Sequence, residues 1–78
     1  MNNEIGNRLL QMFNEISSKG NYERGCSSEI EATKDEPSLT KIYTQKFIFG
    51  KGNKDYEYKG YVITDLDNNV IEEKYEEM

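Results

Sequence analysis

The chain reads as a small α+β domain, an N-terminal amphipathic helix packed on an antiparallel β-meander of three or four strands. Three observations predict it. Apolar residues recur at helical spacing over residues 3–20, they alternate with period two from Leu39 onward, and turn-forming clusters separate the alternating stretches. With 78 residues there is room for a single domain, residues 1–78. Leu, Ile, Val and Phe supply only 16 of them, and the net charge is −5, a composition bordering on disorder. Six tyrosines shift the balance towards a folded chain, because each can bury a ring while keeping its hydroxyl wet.

In residues 3–20, Ile5, Leu9, Met12, Phe13 and Ile16 form one stripe of a 3.6-residue period, the mark of a core-facing helix. Asn2 or Asn3 can cap its start, Glu4 suits the positive end of the helix dipole, and Lys19-Gly20 is the expected stop. Leu10, just off the stripe, is the one hint of a partner-binding helix. Residues 21–38 admit two readings. Ser28-Glu29-Ile30-Glu31 fits a capping box, while Cys26, Ser28, Ile30 and Ala32 alternate with polar residues as an edge strand would. An irregular arm or edge strand is the reading we favour, ended by Asp35-Glu36-Pro37-Ser38.

The β-meander is expected over residues 39–77. Its first strand, residues 39–49, sets Ile42, Thr44 and Ile48 on one face and Tyr43, Phe47 and Phe49 on the other. A flexible turn, Gly50-Lys51-Gly52-Asn53-Lys54-Asp55, leads into a second strand at 56–64. Asp65-Leu66-Asp67-Asn68-Asn69 follows, with Asn68 and Asn69 suited to the positive φ values of a tight hairpin, and residues 70–76 return as the last strand.

Composition removes much chemistry. The absence of histidine takes away the commonest general base and metal ligand, and with it every Ser-His or Cys-His nucleophile. One cysteine, Cys26, makes neither an internal disulfide nor a thiolate zinc site, so a buried or idle thiol in a reducing, cytoplasmic setting is expected. The first residues lack a signal-peptide layout, and no apolar run approaches a membrane span. Asn, Lys, Ile, Tyr, Phe and Met make 35 residues against 10 for Gly, Ala, Arg and Pro. That bias reflects AT-rich coding DNA, typical of low-GC bacteria and their phages.

Asp65, Asp67, Asn69, Glu73 and Glu76 fall at calcium-loop spacing, yet Val70 stands where the loop needs glycine and strand-like flanks replace helices. A hairpin turn, with no metal or cofactor, is expected there. Lys59-Gly60-Tyr61-Val62 echoes the start of an RNA-binding signature, and Lys46, Phe47, Phe49, Lys51, Lys54, Tyr56, Tyr58, Lys59 and Tyr61 interleave bases-stacking and phosphate-holding residue types. The acidic net charge argues against direct nucleic-acid binding.

Charge is distributed unevenly. Residues 1–37 hold seven acids and four bases, residues 38–64 hold two acids and five bases, and residues 65–78 hold six acids and one base. Such a C-terminal run is either a solubilising tail or a complementary surface for a basic partner. Alternate strand side chains lie roughly 6.6 Å apart, near the phosphate spacing of a nucleic-acid strand. The expectation is therefore a non-enzymatic inhibitor or modulator of phage or anti-defence type. Asp65, Asp67, Glu72, Glu73, Glu76 and Glu77 would dock on a basic, nucleic-acid-binding partner protein. The alternatives are a nucleic-acid-binding module using the Lys/aromatic face of residues 46–61, and a dimerisation subunit pairing through a sheet edge. An enzyme is the reading least favoured, since a domain this small is expected to leave little room for a pocket of about 300 Å3.

Overall fold

The computed structural model describes residues 3–78. One helix, α1 (Asn3–Gly20), lies on one face of a five-stranded antiparallel sheet. The strands are β1 (Arg24–Ser27), β2 (Glu31–Asp35), β3 (Thr40–Lys51), β4 (Lys54–Asp65) and β5 (Val70–Glu77). The α+β class is as expected, but the sheet has five strands and not three or four. The extra ones come from the arm, which folds as two short strands that share β3 as partner.

α1 forms where the periodic stripe places it. Ile5, Leu9, Met12 and Ile16 are buried, Phe13 is half-buried at the flank, and Leu10 is exposed. Asn2 lies outside the described residues. The helix ends at Gly20 as expected, and the residue that turns the chain is Asn21, at a left-handed φ of 51°. Its amide donates to Ser18 O and that of Tyr22 donates to Ser17 O, the paired bonds of a Schellman cap.

On the sheet, Phe47, Phe49 and Val62 complete the core, with Thr64 buried beside them and its hydroxyl donating to Asp65 O. Phe13 meets Phe47 edge-on at 5.7 Å between ring centroids, and Tyr22 stacks on Phe49 at 5.1 Å, so rings carry much of a thin core. β3 and β4 pair along twelve residues, from Thr40↔Asp65 to Lys51↔Lys54. The expected flexible loop at 50–55 is instead a two-residue turn, Gly52 and Asn53, with Gly52 at φ 60°. It is tied down, because Gly52 N donates to Glu23 Oε1 and Arg24 donates to Gly52 O.

The arm also differs in phase. β1 sets Cys26 opposite Ile48 on the sheet face away from α1, whereas β2 sets Ala32 opposite Tyr43 on the face towards it. The register along β3 shifts by one residue between the two strands, and a one-residue slip exchanges faces. Ser28 occupies the break. Its amide donates to Lys46 O, its hydroxyl accepts from Lys46 N, and its carbonyl accepts from the Gln45 side chain. The hydroxyl that a capping box would use is spent on the sheet, so no second helix forms. Leu39 is not the first residue of β3 but the last of a tight turn, with φ 54° and its amide donating to Glu36 O.

Candidate interaction surfaces

β5 is an integral strand, not a solvated tail. It pairs with β4 from Thr64↔Val70 to Tyr58↔Glu77, with a bulge that leaves Ile71 unmatched and exposed. Val70 and Tyr75 pack against the core. The strand's other edge faces no strand among the described residues. In an antiparallel ladder, successive residues direct their N–H and C=O groups alternately to the two sides. About half of the β5 backbone groups therefore point away from the sheet.

Of the six acidic residues expected to form one surface, Asp65 and Asp67 lie at the turn before β5, and the pleat separates the four glutamates on the strand. Glu72 and Glu76 lie opposite Ile63 and Lys59 on the face away from α1, and Glu73 and Glu77 lie opposite Val62 and Tyr58 on the face towards it. Lys74 interrupts the first pair and Tyr75 the second, so acids on one face are four residues apart, about 13 Å. The expected 6.6 Å phosphate-like row is not formed on either face. What the strand offers instead is an open edge with carboxylates on both sides.

Those carboxylates are not equally available. Asp65 is committed to its turn: its carboxylate accepts from the amides of Asp67 and Asn69 and from the Asn69 side chain. These bonds from Asn69 hold its pKa below the usual carboxylate value. Of the two asparagines expected at positive φ, only Asn68 adopts it, at 67°. Glu73 pairs with Arg8 of α1 at 3.1 Å, and Glu76 accepts from the Tyr61 hydroxyl at 2.8 Å. Asp67, Glu72 and Glu77 form no ion pair among the described residues.

The Lys/aromatic set is divided more severely. Phe47 and Phe49 lie in the core under α1, where no base can stack on them. Tyr56 and Tyr58 share that covered side and pack on Tyr22, with the Tyr58 and Tyr22 hydroxyls 2.8 Å apart. Lys51 and Lys54 face each other at the hairpin tip. Only Lys46, Lys59 and Tyr61 remain on the uncovered face, joined by Lys74, whose ammonium sits 5.4 Å from the Tyr61 ring centroid; Lys59 sits at 5.5 Å. Gly60 of the signature-like run is explained by packing, since a Cβ there would lie 2.9 Å from the Phe47 ring. Cys26 is exposed, so of the buried or idle thiol expected there the buried alternative is excluded.

A feature that sequence reasoning missed lies between α1 and β5. A groove of about 400 Å3, open to solvent, is lined by Arg8, Gln11, Met12, Glu15, Glu73, Lys74 and Tyr75. It exceeds the room expected of so small a domain for a simple reason. α1 rests mainly on β4 and β3 and leaves the inner side of β5 partly uncovered. Arg8, Gln11 and Glu15 recur at helical spacing beside the buried stripe, the one signal that could have found this wall. Among the described residues, no three carboxylates or thiols converge to hold a metal ion, and no helix is long and apolar enough to cross a membrane. No protein-family model, curated protein or solved structure matches the chain.

Proposed function

We propose that this is a non-enzymatic protein-binding protein, a cytoplasmic inhibitor or modulator of the phage or anti-defence kind, which presents its acidic C-terminal edge to a basic partner. One observation carries the reading: β5, the long edge strand of the sheet, bears four glutamates and a single lysine. Exposed edges of folded domains are commonly guarded by lysine. Here the guard is negative, which repels a second copy and attracts a basic surface. Surfaces of that charge are characteristic of nucleic-acid-binding sites. The match is one of charge at an edge, since the spacing of the glutamates does not reproduce that of phosphates.

The test is titration against basic nucleic-acid-binding proteins of the source cell at two ionic strengths. Binding is expected to weaken with salt, and replacing Glu72, Glu76 and Glu77 by lysine is expected to weaken it at least about tenfold. Affinity indifferent to those three substitutions would sink the reading. Glu73 is left alone in this test because its pairing with Arg8 serves the fold as well.

A further inference from the structure

We propose that the groove between α1 and β5 receives an extended segment of the partner, added to the free edge of β5 as a sixth strand. This rests on the protein-binding reading above and specifies where and in what conformation the partner engages. Two features meet at one place. The β5 edge has backbone groups with no strand to pair with among the described residues, and beside it the flank of α1 stands off far enough to leave about 400 Å3. An extended peptide lying between a strand edge and a helix satisfies both: main-chain bonds to the edge hold it, and every second side chain enters the groove.

The groove and the edge together define the occupant. An added strand alternates its side chains between the two faces of the sheet. Those turned inwards meet Met12 and Tyr75, bounded by Arg8 and Glu15. The inward wall charges already have partners, Arg8 in Glu4 and Glu73, and Glu15 in Lys19, while Lys74 lies on the other face opposite Tyr61. The inward positions therefore suit aliphatic or threonine side chains. Those turned outwards run beside Glu72, Lys74 and Glu76. They suit basic residues four apart, with an uncharged residue between them opposite Lys74.

A second copy of this chain does not meet that description. Its own β5 edge carries four glutamates and one lysine, and pairing two such edges brings like charges together. The opposite edge of the sheet is formed by β1 and β2, two strands of four and five residues broken at Ser28, in which Arg24 and Lys34 are balanced by Glu31 and Asp35, so it offers no basic extended segment to β5. The occupant is thus a basic extended segment of another protein.

The experiment uses the full chain, 15N-labelled, and an acetylated, amidated octapeptide Thr-Lys-Val-Thr-Val-Lys-Thr-Thr. Two further peptides carry N-methyl groups on the odd or on the even residues. Saturable shifts are expected along β5 and at Arg8, Gln11 and Glu15. One methylated peptide is expected to bind at least about tenfold more weakly and the other to bind as the parent does, because only alternate amides face β5. Gln11→Trp, on the exposed side of α1, fills the groove without touching the core and is expected to lower affinity to a similar extent. If both methylated peptides bind as the parent does while Glu72→Lys with Glu76→Lys abolishes binding, strand addition is overturned and the charge-based reading survives. If those lysine substitutions change nothing, the charge-based reading fails as well. Absence of any shift at millimolar peptide overturns the proposal, as does a dimer by sedimentation whose interface is β5.

Discussion

Tyr58 shows most directly how one residue depends on neighbours far away in sequence. Its pKa is pushed up from 10.0 to about 12, chiefly by the hydrogen bond with Tyr22, then by burial and by the charge of Glu77. A tyrosine whose folded pKa lies above its unfolded one stabilises the fold fully below about pH 10 and loses that contribution as pH rises through the folded value. In an ultraviolet titration of tyrosinate, the Tyr58 ring is expected to ionise well above pH 10, and Tyr22→Phe should bring it back towards 10. Gly60 makes the complementary point about space. A methyl group there meets the Phe47 ring at 2.9 Å and the Met12 sulfur at 3.0 Å, so Gly60→Ala is expected to cost about 1–3 kcal/mol by urea denaturation. The alternation of Phe47 and Phe49 already marked both for one face of a strand. Which face the helix would cover, and therefore that neither ring is free to stack a base, is a tertiary fact.

Elements with strong periodicity formed where the sequence placed them, and those with competing local signals did not. α1 matches its stripe, and β3 and β4 match their alternation, each extended by two residues into the turn at Gly52. The arm differs because Ser28 has two uses, a helix cap or a bridge to Lys46, and only the presence of β3 makes the second available. Leu39 shows the cost of such tertiary demands. It is held at φ 54° with 60% of its surface exposed, a left-handed conformation that disfavours leucine. Leu39→Asn is expected to stabilise the protein by about 1 kcal/mol, measurable as a raised denaturation midpoint. The same principle governs β5: six acids in 14 residues read equally as a tail or a surface until the ladder to β4 divides the four glutamates between two faces.

At the scale of the molecule, a long thin sheet is covered by a shorter helix. The extents are 43 × 20 × 18 Å, whereas an 18-residue helix spans about 27 Å, so parts of the sheet and the inner side of β5 remain uncovered. With a core this small, β5 cannot be dispensable. A chain ending at residue 69 loses Val70 and Tyr75 from the core margin and strips β4 of its partner. It is expected to lose cooperative thermal unfolding by circular dichroism, whereas removal of a mere solubilising tail would leave the transition intact. The sequence alone determined the class, the helix, the long hairpin, the absence of histidine chemistry and the concentration of negative charge at the C-terminal end, because period and composition are local properties of the chain. The tertiary structure decided which aromatics are buried, how the acids divide across the pleat, and that a groove opens beside an unpaired edge. Those depend on register and on where the helix comes to rest, which no single segment specifies by itself.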